Sequence, residues 1–224
     1  MYEYFAFKKY LKSKAGLTVM EILICMVVLS ILAAIGIPIY INHTKKANET
    51  VCLENQRIIY STIDSILTAK VYSDGNKSAG SKTDLLHSAA DIEWFYKQGD
   101  KNYIIIRYEK KTNLSTGKTT EEITTLPINE SDGHTYGVYF LFNATYQNFY
   151  GKNGGYKSGA AFLKTYVFDG DLPYCPLLVD EGDKDGYHIE ASEIKVVFEL
   201  DDEKDPYIYS VGCASHGTTT YHAP

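Results

Sequence analysis

The sequence predicts an α+β chain in which one long N-terminal helix, apolar at first and amphipathic later, packs on a head built around an antiparallel β-sheet. Three observations predict it. Ile22 to Ile41 is a run of twenty residues without a charge. Cys52, Ile59, Ile63, Ile66 and Leu67 then fall at spacings of 7, 4, 3 and 1, a single helical stripe, with Glu54, Arg57 and Asp64 off it. From Tyr103 onward the pattern changes to short stretches rich in Tyr, Val, Ile and Thr between turn residues. The 224 residues can bury an ordinary core, and 45% apolar with 22% charged residues is a globular composition rather than a disordered one.

The apolar run comes first. Met1 to Gly16 carries Lys8, Lys9, Lys12 and Lys14 against one acid, Glu3. Twenty helical residues at about 1.5 Å each give roughly 30 Å, the thickness of a bilayer core. Four lysines before the run, against Lys45, Lys46 and Arg57 after it, favour a cytoplasmic N-terminus and an exported remainder from about residue 42. Pro38 removes a backbone donor beside Gly36, so the helix is expected to kink or loosen at residues 34–38. The helix is read from Leu17 to about Val71, with Asp74-Gly75-Asn76 as its stop.

The head follows. Thr83 to Lys97 has helical spacing in Leu86, Ala89, Ala90 and Phe95, with Ser81 and Thr83 as caps and Gly99 as terminator. Tyr103 to Lys110 and Thr119 to Leu126 flank Asn113-Leu114-Ser115-Thr116-Gly117 as a hairpin, and Thr135 to Thr145 reads as a further strand. Gly151 to Gly159 is a Gly-rich loop without the Gly-Lys-Ser/Thr ending of a phosphate cradle. Ile194 to Leu200 and Tyr207 to Val211 are the last strands, joined by the acidic turn Asp201 to Pro206.

Glu21 is the residue a plain anchor does not need. A carboxylate at the mouth of an apolar run is costly in lipid and points to function. A cut between Gly16 and Leu17 would place a new α-amine four residues from Glu21, so that packed neighbours could pair amine with carboxylate. Lys14-Ala15-Gly16 followed by Leu17-Thr18-Val19-Met20-Glu21 and an apolar helix resembles the type III signal of type IV prepilins and pseudopilins, and Pro38 and Tyr40 stand where that family often has Pro and Tyr. Leu17 replaces the Phe that most members carry.

That resemblance implies a type IV pilin-like fold and a division into a removed leader, 1–16, a transmembrane and filament-core helix, 17–41, its amphipathic half, 42–72, and a globular head, 73–224, with a disulfide-bounded C-terminal region. It implies cleavage after Gly16 and methylation of the Leu17 amine by a prepilin peptidase, and roles for Glu21 and Pro38 in assembly. The partners it implies are other pilin subunits, the peptidase, the membrane and an assembly platform protein. The chain is then a filament subunit, held in the cytoplasmic membrane and moved to the cell surface, serving adhesion, motility, DNA uptake or secretion. The alternatives are a minor pilin acting as adhesin or filament initiator, and an anchored extracellular domain that does not polymerise. As a secretory signal peptide the apolar run is too long, and its one small-residue cut, after Gly36, falls just before Pro38.

Charge and motifs narrow the function further. Removing four lysines and one glutamate with the leader takes the chain from 22 basic and 28 acidic residues to 18 and 27, a formal charge near −9. Direct nucleic-acid binding by a broad basic face is therefore not expected. Neither a Gly-x-Ser-x-Gly elbow nor a His-Glu-x-x-His pair occurs, and the six histidines are scattered, so the sequence predicts no enzyme, no cofactor and no metal.

The cysteines stand at 25, 52, 175 and 213. Cys25 lies in the apolar run, and the other three are disulfide candidates in an exported head. Cys52-Leu53-Glu54-Asn55-Gln56-Arg57, Cys175-Pro176 with Gly186-Tyr187, and Val211-Gly212-Cys213-Ala214-Ser215-His216-Gly217 resemble the cysteine pattern of pilin-like proteins of competence systems and Gram-positive type IV pili. A Cys175–Cys213 bond would close a loop of 38 residues and stabilise by roughly 4 kcal/mol. A bond from Cys52 to either would tie helix to sheet, and with three candidates one is left over. Zinc on Cys213, His216 and the other thiols has the residue types but no Cys-x-x-Cys spacing. Glu181, Asp183, Asp185 and Gly186 partly match a calcium loop, with Ser192 where the bidentate Glu belongs and Glu193 one place late.

Overall fold

Strong apolar content and an N-terminal capping signal make Val19–Thr68 a single helix, α1, in a computed structural model that describes residues 18–70, 85–97, 102–126, 136–142, 159–216 and 220–222. The backbone stays helical through Gly36 and Pro38: proline removes one donor from the ladder, and the rungs on either side persist. Helix α1 closes at Lys70, in the left-handed region at φ 47°, whose amide donates to the Leu67 carbonyl at 3.0 Å. The expected stop at Asp74-Gly75-Asn76 lies outside the described residues.

The chain divides into two units, Met1–Lys46 and Ala47–Pro224. In the first, the described residues are helical and apolar side chains are exposed all round. In the second, α1 buries Cys52, Gln56, Ile59, Ile63 and Leu67, the expected stripe with one polar member added and Ile66 only half-buried.

The head sheet is antiparallel, in the order β2-β1-β4-β5-β6, with β3 paired to β4 as well. Its strands are β1 Tyr103–Asn113, β2 Thr119–Leu126, β3 Val179–Lys184, β4 Tyr187–Leu200, β5 Pro206–Cys213 and β6 Thr220–His222. The 14-residue β4 organises it. One edge of β4 pairs with β1, Ile104 opposite Val196, Ile106 opposite Ile194 and Tyr108 opposite Ser192. The other edge is shared by β3, from Tyr187 to Ala191, and β5, from Ile194 to Leu200. Period-two alternation sends Ile104, Ile106, Ile194, Val196 and Phe198 into the same core as the buried face of α1.

The β1–β2 hairpin and the acidic 201–205 turn form as expected. Asn113 Oδ1 accepts the amides of Ser115 and Thr116 at 3.0 and 2.8 Å, and Gly117 supplies φ 67°. Asp201 Oδ1 accepts the amides of Glu203 and Asp205, while Asp205 pairs with Lys70 at the end of α1.

Two expected elements differ. Helix α2 is Ala89–Lys97 rather than Thr83–Lys97, because Ser88 is its cap: the Ser88 hydroxyl accepts the Asp91 amide at 3.3 Å and donates to the Asp91 carboxylate at 2.5 Å. Leu86 instead forms an isolated bridge with Phe142. Ser81, Thr83 and Gly99 lie outside the described residues.

The strand expected over Thr135–Thr145 is, where described, helix α3, Tyr136–Leu141. Its Tyr, Phe and Val content favours strands, but Val138, Phe140, Leu141 and Phe142 are all buried, which leaves no alternating solvent face to make strand pairing preferable. Helix α4, Gly159–Phe162, runs into a π-turn at Leu163–Val167 that buries Phe162, Leu163 and Val167, and residues 151–158 of the Gly-rich loop lie outside the described residues.

Helix α3 meets β1 at Gly137, where an added Cβ would stand 1.8 Å from the Tyr103 carbonyl oxygen and 2.9 Å from Ile104 Cγ1. Backbone cannot yield as a flexible side chain does. Gly137→Ala is expected to cost about 2–4 kcal/mol, read as a lower urea midpoint for the purified chain in detergent.

Candidate functional site

The N-terminal start of α1 is built from Thr18 and Glu21. Glu21 Oε2 accepts the Thr18 amide at 2.8 Å and the Thr18 hydroxyl at 2.9 Å, and Thr18 Oγ1 accepts the Glu21 amide at 3.2 Å. This reciprocal pattern is a capping box, which neutralises amides that the helix itself leaves unpaired. Glu21 therefore has a local use within one chain, contrary to the expectation that it would be idle in a plain anchor. Thr-x-x-Glu was the readable signal for it. Gly16 and Leu17 lie outside the described residues.

C-terminal to this cap, sixteen large apolar side chains from Val19 to Ile41 are exposed, from 43% at Ile22 to 83% at Val19. Burying one is worth about 1.5–3 kcal/mol, so leaving all of them in water forfeits on the order of 30 kcal/mol. A folded domain has a net stability of about 5–15 kcal/mol. The helix is long and apolar enough to cross a membrane.

A second grouping lies in the head. The sulfurs of Cys52, Cys175 and Cys213 all lie within 4.8 Å of one another, and none of the four cysteines is in a disulfide. Cys52 projects from the buried stripe of α1, Cys175 from the segment before β3, and Cys213 from the last residue of β5. Hydrogen bonds fix these elements together: Asn55 Nδ2 donates to the Tyr174 carbonyl at 2.6 Å, and the buried Ser192 hydroxyl donates to the Cys175 carbonyl at 2.6 Å. The Tyr174 ring stacks on Tyr108 at 4.2 Å between centroids.

Beside the sulfurs lies Gln56, fully buried, whose Nε2 donates to Cys52 Sγ at 3.4 Å while its Oε1 has no hydrogen-bond partner. Cys213 is pulled down by hydrogen bonds from the Cys175 and Cys52 thiols, helped by the amide and hydroxyl of Ser215. Cys175 is pushed up, chiefly by sharing protons with Cys213 and Cys52. For Cys52 a hydrogen bond from Cys175 acts downward, but Cys213 and burial outweigh it and push the thiol up to about 11.

All three disulfide candidates thus meet, which their separation in sequence concealed. Gln56 was missed, although a glutamine four residues after Cys52 and three before Ile59 stands on the stripe itself. Asn55 and Ser192 were named in the sequence only as members of the Cys52–Arg57 stretch and of the 181–192 loop, with no signal for these contacts. His216 follows in a 3-10 turn, Ala214–His216, and its side chain lies outside the described residues.

The acids read as a partial calcium loop stand not on an isolated loop but on strand β3 and a tight turn at Asp185 and Gly186, with φ of 52° and 82°, and Asp180 and Asp183 both face His188, at 3.5 and 2.8 Å. Asp180 accepts the Gly182 amide at 2.8 Å, Asp183 lies 2.8 Å from His188 Nδ1, and Glu181 pairs with Arg107 at 2.6 Å.

Arg107 holds Glu109 at 2.7 Å and Glu193 at 2.5 Å as well, with its side chain 16% exposed. Burial acts downward on the guanidinium, but Glu181, Glu109 and Glu193 outweigh it and raise its pKa. Burial acts upward on Glu109, yet hydrogen bonds from Lys111 and Arg107 win and hold it below its ordinary 4.5.

No protein-family model, curated protein or solved structure matches the chain.

A carboxylate with a lowered folded pKa stabilises above its ordinary value, and that stability is lost as pH falls through the lowered one. Arg107→Met is expected to cost about 2 kcal/mol at pH 7 by leaving three carboxylates without their guanidinium. Urea unfolding of both proteins should converge below pH 4.5, where the wild-type chain loses the advantage as Glu109 protonates.

Proposed function

We propose that the chain is a structural subunit of a type IV pilus or related pseudopilus. It is held in the cytoplasmic membrane by residues 17–41 and then packed with other subunits into a helical filament. The observation that carries this reading is the exposed apolar stretch Val19–Ile41 headed by Glu21. In the membrane, lipid covers it. In a filament the helices of neighbouring subunits cover one another, so the same surface serves both states without a change of fold. The α+β head on the second half of α1 fits such a subunit.

Glu21 has capacity for a further partner. Thr18 occupies Oε2, and a carboxylate accepts through both oxygens, so Oε1 remains for the amine of a neighbouring Leu17. Cleavage after Gly16 by a prepilin peptidase would supply that amine and leave the Thr18 amide, and with it the capping box, in place. An assembly platform protein and an ATPase-driven machine would be the remaining partners.

A minor, adhesive subunit is the second reading, favoured by the exposed aromatics Trp94, Tyr96, Tyr207 and Tyr209 on the head. Counting subunits per filament separates tip from shaft.

Glu21→Gln keeps an amide oxygen able to accept from Thr18 but removes the charge. The variant is expected to reach the membrane at wild-type level while filament yield falls at least tenfold, in keeping with several kcal/mol lost per buried unpaired amine. Sheared-filament immunoblots against membrane fractions read both quantities. Wild-type filament yield would refute the pairing. Absence of filaments from the wild-type chain as well would instead support an anchor that does not polymerise.

A further inference from the structure

Three thiols that converge in a protein core need a reason, because a disulfide uses two and strands the third. The sulfurs of Cys52, Cys175 and Cys213 are mutually within 4.8 Å, and the three residues are 0, 1 and 5% exposed. A disulfide among them would join two of the sulfurs and leave the third cysteine and the Gln56 Oε1 atom outside it. A buried side-chain oxygen without a partner is uncommon in folded proteins and calls for a missing occupant. One tetrahedral ion can take all three sulfurs and, as a fourth donor, the carboxamide oxygen of Gln56 beside them.

We propose that Cys52, Cys175 and Cys213 bind a zinc ion as thiolates, with the Gln56 carboxamide oxygen completing a closed tetrahedral centre. The dimensions agree. Zinc–sulfur bonds near 2.3 Å and zinc–oxygen bonds near 2.1 Å at tetrahedral angles place sulfurs about 3.8 Å apart and oxygen about 3.6 Å from each sulfur. The sulfur triangle, with edges of at most 4.8 Å, therefore closes by about 1 Å or less per edge. The Gln56 amide already stands 3.4 Å from Cys52 Sγ through Nε2, and a half-turn of the amide puts Oε1 in that place.

The surrounding hydrogen bonds hold the donors. Asn55 lies between Cys52 and Gln56 in sequence and fixes α1 to the carbonyl of Tyr174, next to Cys175. Ser192 fixes the Cys175 carbonyl to β4, and the Glu193 amide, donating to Ser215 Oγ at 3.1 Å, fixes the chain just after Cys213. Zn²⁺ binds the three cysteines as thiolates, so each sulfur still protonated gives its proton to solvent on loading, and no electrons are transferred. Because the donors come from α1, from the segment before β3 and from β5, the ion cross-links the helix to both, as no single disulfide could. The inference concerns the head alone and is independent of whether the chain assembles into filaments.

The test uses the full chain, purified in detergent from cells grown with added zinc. Elemental analysis is expected to find about one zinc per chain. Replacing zinc with cobalt should give thiolate-to-cobalt charge-transfer absorption and the intense visible bands of a tetrahedral ion. Cys52→Ser, Cys175→Ser and Cys213→Ser should each abolish or blue-shift that absorption, whereas Cys25→Ser should leave it unchanged. Gln56→Ala should keep the charge-transfer band but alter the visible bands and weaken zinc at least tenfold in chelator competition. Should the cysteine variants fail to fold, the zinc content and cobalt spectrum of the wild-type chain still decide. A disulfide joining two of the three cysteines in mass spectra, or a folded wild-type chain with three alkylatable thiols and no metal uptake, would overturn the proposal.

Discussion

Sixteen large apolar side chains on α1, exposed from Val19 to Ile41, impose the constraint on which everything else rests. Their hydration penalty is several times the net stability of an ordinary domain, so no arrangement of the head could compensate for leaving them in water. Among the described residues nothing covers them. A lipid bilayer and a bundle of identical helices meet that demand with the same surface, and this is why a single uninterrupted helix suits both a membrane state and an assembled one. The capping box at Thr18 and Glu21 closes the helix at its most exposed end and leaves one carboxylate oxygen for a neighbour.

The second half of α1 obeys a different rule. There the apolar residues narrow to one stripe, Cys52, Ile59, Ile63 and Leu67, buried with the inward residues of β1, β4 and β5. Strand β4 is the spine: β1 runs along one edge, β3 and β5 share the other, and Ser192 on its inward face reaches the Cys175 carbonyl. On the opposite face Arg107 collects Glu109, Glu181 and Glu193, which joins β1, β3 and β4 through side chains as well as backbone. Of the acids that look like a metal loop in sequence, Glu181 pairs with this guanidinium, and Asp180 and Asp183 face His188. The thiols sit where helix, loop and β5 meet, and there a buried glutamine oxygen is left without a partner.

Much of this was legible because the signals were local. The uncharged run, the stripe on α1, the Asn113–Gly117 turn and the acidic 201–205 turn all depend on residues close in sequence, and each formed where expected. Helix α3 was not legible, because Val138, Phe140 and Leu141 favour strand until the core buries them together and Gly137 lets the backbone approach Tyr103. The start of α2 moved because Ser88, not Ser81 or Thr83, caps it. At the candidate sites the cysteines could be named but not placed, since their meeting depends on sheet order, and nothing local in sequence tells which carbonyl or sulfur Asn55, Ser192 and Gln56 will reach. The missing Cys-x-x-Cys spacing speaks against zinc only for ligands within one turn and not for three separate elements.

The central claim is that the exposed helix begins at a newly made amine and is covered by copies of itself. The most direct measurement is mass spectrometry of the N-terminal peptide of this chain in filaments sheared from cells. The account predicts a peptide that begins at Leu17, with its amine methylated. A peptide that begins at Met1, or one that begins after Gly36, would contradict it.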